Sequence, residues 1–235
     1  RDLRLSDNIG LFKALEESQK VQCIFIFDEH ILNELPKNDP RVNFIYSELS
    51  KINEALNEFG SSLRVEKGTP HDVWRSIFST EKVEAIVTNK DYEPYARKRD
   101  GQIRDLAVAN NIRFERFKDQ VIFEESEVTK DDGLPYTVYT PFKNKWLANF
   151  NAEEHQPVSI EDLTSHFNPS DFSFPTLKEI GFEASTITVR PFTLDSIDNY
   201  DEVRDFPAID ATSYLSPHLR FGTIGIRELV KKTRT

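Results

Sequence analysis

The stretch Thr212-Ser213-Tyr214-Leu215-Ser216-Pro217 carries three aliphatic hydroxyls within five residues. Ser216-Pro217 reads as a helix start, with Ser as the cap and Pro at the tolerated first position. Hydroxyl donors beside free backbone N–H groups and the positive end of a helix suit a phosphate or pyrophosphate. The same residues would also serve if they did no more than cap a helix. Arg97, Lys98, Arg99 and Arg104 form a basic cluster that would suit a nucleic-acid backbone. Asp100 and Asp105 interleave with it, so helix-surface pairs such as Asp100 with Arg104 are the expected use. His155 and His166 stand apart from Cys and from paired carboxylates, and read as solvated loop residues rather than metal ligands. Trp74 and Trp146 read as packing residues. The chain contains no GxGxxG, GxxxxGK[ST] or GxSxG pattern, which leaves ordinary dinucleotide, nucleotide-hydrolase and esterase readings unsupported.

The elements that would carry these residues alternate between strand and helix. Ser6-Asp7-Asn8 caps a helix bearing Ile9, Leu11, Phe12 and Leu15 at helical spacing. Val21–Phe27 is a short apolar run rich in β-formers and predicts a buried strand. Pro40 opens a long helix closed by Gly60, and Thr69-Pro70 opens a second that carries Trp74. Ser62–Val65, Glu84–Thr88 and Ile112–Phe117 predict further strands, Tyr95–Asn110 a helix and Gln120–Phe123 an extended piece. Strands separated by helices of this length predict a parallel α/β sheet with helices on both faces. Ligands of such sheets sit beyond the carboxyl ends of the strands. Between Asn151 and Phe172 there are five acidic residues and no Lys or Arg, which reads as an acidic interdomain connector. Leu177–Ile180 reads as a short helical piece, and apolar periodicity returns from Leu215 to Val230.

At 235 residues the length fits one large domain or one and a half. With 38% hydrophobic residues, including 18 Phe, there is enough apolar material for a core, which excludes a disordered chain. No run approaches the roughly 18 apolar residues of a membrane span, and no signal segment opens the chain. The single Cys23 excludes an internal disulfide and a Cys-cluster metal site, so a cytoplasmic setting is expected. Forty acidic against 30 basic residues give a net charge of −10, so a nucleic-acid partner would need a focused groove. The chain opens on Arg1 and has no Met, and reads as a piece of a longer protein.

Four blocks, in order, resemble the DNA photolyase/cryptochrome family: RDLRLSDN (Arg1–Asn8), DYEPYARKRD (Asp91–Asp100), YTPFKNKW (Tyr139–Trp146) and RDFPAIDATSYLSPHLRFGTIGIREL (Arg204–Leu229). The resemblance implies a Rossmann-like α/β antenna domain over 1–130 and a connector over 131–195. It also implies the start of an all-helical FAD-binding domain over 196–235. It places flavin contacts on Tyr200, Thr212, Ser213, Leu215 and Ser216, and a DNA-backbone contact on Arg204, whose guanidinium would otherwise pair with Asp201 or Asp205. The implied activity is light-driven repair of cyclobutane pyrimidine dimers by electron transfer from reduced FAD, as in a deoxyribodipyrimidine photo-lyase. Damaged DNA is the implied partner, and a monomer is expected. A cryptochrome-type photoreceptor and a nucleotide-binding α/β module without photochemistry are the alternatives. The positions of the family's folate contacts hold Pro36, Tyr95 and Ala96, which lack the polar side chains a pterin needs, so an antenna chromophore's identity stays open. Ala211 stands where the family usually has Gly. The family's first strand is expected before Arg1, and its electron relay and lesion pocket beyond Thr235, so this chain alone is expected to hold FAD weakly or not at all and to repair nothing.

Overall fold

The computed structural model describes residues 1–233; Arg234 and Thr235, the end of the expected helical segment, lie outside the described residues. Helix α1 (Ile9–Glu17) leads into strand β1 (Ile24–Asp28), the one-turn α2 (Glu29–Leu32) and the long α3 (Pro40–Glu58). Strand β2 (Arg64–Gly68), α4 (Pro70–Thr80), β3 (Ala85–Asn89), α5 (Pro94–Ala109) and β4 (Arg113–Phe117) complete the alternation. Among the described residues four α-helices follow at wider intervals, α6 (Tyr139–Asn149), α7 (Tyr200–Val203), α8 (Leu215–Phe221) and α9 (Ile226–Lys232), with two short 3-10 turns at Ala152–His155 and Glu161–His166. The starts are chemically specified. Asn8 Oδ1 accepts from the Leu11 amide at 3.1 Å, Asp39 Oδ1 from Arg41 N at 2.8 Å and Thr69 Oγ1 from Asp72 N at 3.3 Å.

All four strands run parallel within their pairs, as the crossover lengths require. β1 lies beside β2, with Ile24 opposite Arg64 and Asp28 opposite Gly68. β3 lies beside β4, with Ala85 opposite Arg113 and Asn89 opposite Phe117. The hydrogen-bonded strands form these two pairs, and none of the ladders joins β1 to β3. Side chains tie the pairs together at their carboxyl ends. The Asn89 side chain donates to Asp2 and Asn8, each at 2.8 Å, and accepts from the Gly10 amide at 2.8 Å. The Tyr95 hydroxyl, at the start of α5, donates to the Asp28 carboxylate at the end of β1.

Several expectations shift for identifiable reasons. The first strand begins at Ile24 rather than Val21, because Val21 is taken by Phe167 in an isolated parallel bridge. There the Val21 amide donates to His166 O at 2.9 Å and its carbonyl accepts from Asn168 N at 2.8 Å. The acidic stretch is therefore packed down rather than free. Ile160, Phe167, Ile180 and Phe182 join Leu15, Phe27, Leu49 and Leu56 in one buried apolar cluster. Gln120–Phe123 forms no strand, and Leu177–Ile180 is a turn rather than a helix. No helix among the described residues is long and apolar enough to cross a membrane.

The last two helices dock on the α/β core through charge. Arg4, Asp7, Asp119 and Arg227 all have side chains at most 8% exposed. Arg227 Nε donates to Asp7 Oδ1 and its Nη2 to Asp119 Oδ1, both at 2.7 Å. Arg4 Nη2 donates to Asp119 Oδ2 at 2.6 Å. The same guanidinium groups also satisfy the carbonyls of Asp7, Asp119 and Gly222. Two cations and two anions balance, which is the condition for keeping such groups out of water. The approach demands glycine: a β-carbon at Gly225 would overlap the Asp7 carboxylate, and one at Gly222 the backbone of Arg1.

Gly225→Ala is therefore expected to separate Asp7 from Arg227 and to destabilise the protein by about 3–5 kcal/mol. Gly101→Ala, in the interior of α5 with open space around its Cα, is expected to stabilise by up to about 1 kcal/mol. Denaturant midpoints test both, and a neutral Gly225→Ala would contradict the packing described.

Candidate functional site

The hydroxyl-rich turn is built differently from its sequence signature. Helix α8 begins at Leu215, two residues ahead of the expected start, and its cap is Tyr214 in the left-handed conformation (φ 54°, ψ 17°). Ser216 is thus inside the first turn and does not cap. Pro217 is tolerated there because first-turn N–H groups have no intrahelical acceptor. The consequence is chemical. The hydroxyls of Thr212 and Ser216 are exposed and make no hydrogen bond to the protein, while Ser213 Oγ makes only a 3.5 Å contact with the Leu215 amide. Thr212, Ser213, Leu215 and Ser216 are brought together on one turn, with neutral donors facing solvent. Tyr200 stands apart on α7, 57% exposed and without a hydrogen bond or ring contact to that turn. Arg204 ends α7 in a loose surface pair, its Nε 3.8 Å from Asp205 Oδ2.

A segment that sequence reasoning passed over holds this turn. The Thr193 amide donates to Ser213 O at 3.0 Å. Arg190 lies over the Tyr214 ring, 4.9 Å from its centroid, and Nη1 donates to Asp210 Oδ2 at 3.0 Å. The Tyr214 hydroxyl donates to Asp210 as well, and these two hydrogen bonds hold the Asp210 carboxyl below its usual range. On the other side of α8, His218 is buried with both ring nitrogens engaged. Nε2 donates to Arg190 O at 2.9 Å and Nδ1 meets Thr223 Oγ1 at 2.7 Å. Its ring packs edge-on against Phe44 of α3 and Phe192, with centroids 5.5 Å and 5.2 Å away. Nothing in the local sequence marks His218, because its partners lie in the connector, in α3 and beyond the end of α8.

The remaining candidates resolve into structural roles. In the basic cluster Arg97 pairs with Glu125, Arg99 with Asp100 and Arg104 with Asp105. The expected Asp100–Arg104 pair is absent because Asp100 lies on the buried face of α5, beside Ala96, Ile103 and Ala107. His155 is not a solvated loop residue. It stacks on Phe150 at 5.5 Å and meets Phe123 edge-on, and burial pushes its pKa below the ordinary value. His166 is likewise engaged, with Nδ1 2.7 Å from Leu15 O. Trp146 stacks on Phe150 and Trp74 packs against Phe78, both as packing residues. Glu93 joins Arg1 to Arg220 of α8, and the Arg220 hydrogen bond in particular holds its carboxyl low.

A parallel α/β core that carries, through buried charge, helices with an exposed hydroxyl turn places the chain among the α/β proteins. The chain belongs to the DNA photolyase family, whose model matches residues 1–160. A deoxyribodipyrimidine photo-lyase of Synechococcus sp. is 33% identical over 246 residues, covering 97% of this chain and 51% of that protein. An archaeal photolyase from Sulfolobus tokodaii, solved with two FAD molecules, superposes with a TM-score of 0.77 at 28% identity, over 100% of this chain and 53% of that one. A cryptochrome of Synechocystis sp. shares the fold, with a TM-score of 0.73 at 17% identity, over 98% of this chain and 53% of its own. The chain thus spans about half the length of these relatives. The turn at Thr212–Ser216 lies outside the family-model match but inside the stretch shared with the Sulfolobus structure.

His218→Leu fills similar space yet leaves the Arg190 carbonyl and the Thr223 hydroxyl without partners. It is expected to destabilise the protein by about 1–3 kcal/mol. His218→Gln, which keeps a donor, should lose less. Urea denaturation of the three proteins decides the matter, and equal stability of His218→Leu and wild type would contradict the assigned bonds.

Proposed function

We propose that this chain is the light-gathering and phosphate-holding part of a photolyase that repairs cyclobutane pyrimidine dimers in DNA with an electron from reduced FAD. The observation that carries the reading is the 33% identity to a deoxyribodipyrimidine photo-lyase along 97% of the chain. The fit of the residues to the cofactor supports it. A pyrophosphate needs several convergent donors, and the turn offers the unpartnered hydroxyls of Thr212 and Ser216, Ser213 beside them, and the Leu215 amide. In this reading Thr212, Ser213, Leu215 and Ser216 hold the pyrophosphate and Tyr200 lies along the flavin once α7 is covered. The cofactor, when bound, supplies the light-excited electron; the protein's task is to bind, orient and exclude water.

Arg204 is assigned to the DNA backbone. Among the described residues its only ion pair is the long, exposed one to Asp205, which a phosphate can replace at little cost. A dimer stacks poorly and is therefore easily turned out of the duplex toward a flavin. The second FAD of the Sulfolobus protein, interpreted there as a light-harvesting cofactor, supports an antenna chromophore in the α/β part here. A folate antenna is disfavoured: the Tyr95 hydroxyl is committed to Asp28 and Ala96 is buried. The division into 1–130, 131–195 and 196–235, a monomeric state and a cytoplasmic setting belong to the same reading.

The test uses the full-length protein. It is expected to purify with FAD and to restore dimer-containing oligonucleotides under blue light. Flavin photochemistry without repair would move the reading to a photoreceptor, and no flavin at all would leave a nucleotide-binding module. Ser213→Ala with Ser216→Ala should weaken FAD binding without abolishing it, each lost bond to the charged phosphate being worth about 1.5–3 kcal/mol. Unchanged FAD retention would reduce the turn to helix scaffolding. Arg204→Ala should weaken binding to damaged DNA and flatten its salt dependence by about one counterion, with the flavin spectrum intact. An unaltered salt slope would return Arg204 to its surface pair.

A further inference from the structure

Helix α6 departs from the pattern of the other long helices. α1, α3, α4 and α5 each bury two or more residues, as amphipathic helices do against a core. α6 is eleven residues long and buries none. Tyr139, Phe142 and Leu147 on the helix are exposed, and so is Val138 just before it. Large apolar groups gathered on one short element mark an interaction surface. Beside the helix runs a groove of about 640 Å³, lined by Trp146, Leu147, Phe150, Ala152 and, from α9, Val230. Its aromatic side is braced from behind. Trp146 stacks on Phe150 at 5.1 Å and Phe150 on His155 at 5.5 Å, while Phe123 meets Trp146 and His155 edge-on at 5.2 Å and 5.5 Å. Rings that hold one another keep the groove's shape before anything enters it, so docking there costs little reorganisation.

We infer that this groove is the seat of a helix from the part of the chain that follows α9, laid with its apolar face on Trp146, Leu147 and Val230. Several observations select that occupant. This chain covers 51% of the Synechococcus photo-lyase and 53% of the Sulfolobus one, so relatives of this fold accommodate nearly as much polypeptide again. α9 ends at Lys232, two residues past Val230, so polypeptide continuing from it sets out beside the groove. Connections between packed helices commonly take about two to eight residues, which brings a following helix back alongside α9. The wall it would meet is fixed, because Arg227 ties α9 to Asp7 and Asp119. A helix suits the groove because it satisfies its own backbone groups and brings only side chains to the aromatic wall. A tethered segment also acts at an effective concentration in about the millimolar range, ahead of a second copy of the chain. None of this draws on the flavin reading of the Thr212–Ser216 turn.

The test uses the full-length protein and needs no flavin, so its failure and that of the photolyase reading are told apart. Hydroxyl-radical footprinting of the native protein, normalised to the urea-unfolded chain, compares Leu147 with Val108 of α5. The two are 58% and 64% exposed here. Leu147 is expected to be protected about tenfold more than Val108, at every protein concentration, as the core of a packed interface is. With the photoreactive p-benzoylphenylalanine in place of Leu147, irradiation should cross-link the groove to peptides of the same molecule beyond Thr235. Leu147→Asp should lower the urea midpoint, whereas Val108→Asp should leave it unchanged. A Leu147 as reactive as Val108 would overturn the inference, because the groove would stand open in the whole protein. Protection lost on dilution, or a cross-link between two molecules, would overturn it in favour of a second copy. Cross-links confined to residues 1–235 of one molecule would overturn it as well, and so would equal midpoints for the two aspartate variants.

Discussion

Arg4, Asp7, Asp119 and Arg227 come from three distant stretches of chain and meet out of water, and the arrangement of everything after the connector depends on that meeting. A buried ion pair adds little net stability, because the desolvation of its members offsets most of their attraction. What it supplies is intolerance of alternatives. An apolar contact between α9 and the α/β core could slide by a turn and still bury its area. A slid Arg227 would leave two carboxylates sharing Arg4 alone. The backbone carbonyls of Asp7, Asp119 and Gly222 use further guanidinium donors, so the network also fixes the loops that carry it.

From this fixed point the placement of the candidate site follows. Arg4 holds the carbonyl of Gly222, and the Leu3 amide donates to the Phe221 carbonyl at 3.1 Å, so the carboxyl end of α8 is pinned to the amino-terminal segment. Glu93 bridges Arg1 and Arg220 outside the network, where water weakens it. The amino end of α8 is pinned from the connector, through Arg190, Thr193 and His218. A seven-residue helix held at both ends presents its hydroxyl turn in one orientation. The segment that carries Arg190 and Thr193 follows a stretch that buried Phe167, Ile180 and Phe182 keep on the core.

The sequence shows the α/β alternation plainly, because helix caps and short β-branched or aromatic runs are local signals. It also shows the hydroxyl turn and, by resemblance, its family. It misplaces the start of α8, since Ser-Pro is the stronger local cap and the side-chain partners of the actual cap, Tyr214, lie at Asp210 and at Arg190, four and over twenty residues away. It makes His155 look solvated because Phe123 and Phe150 are remote or unremarkable in sequence. Arg4 and Asp7 were legible only as part of a resembling block, and Asp119 not at all: nothing local distinguishes a charge destined for burial from one on a solvated face. The Asp100–Arg104 pairing failed for the same reason, as α5 turns Asp100 inward toward Arg99 and Arg116.

If buried charge docks the last two helices, they and the α/β core should open as one cooperative unit. Native-state hydrogen exchange of the backbone amides of α9, compared with those of β1 and β3, tests this most directly. The inner amides of α9 are expected to exchange with the same opening free energy, and the same denaturant dependence, as the strand amides. Exchange of α9 through a low-energy local opening, while the strands remain protected, would contradict it and leave the network a decoration on a loosely attached helix.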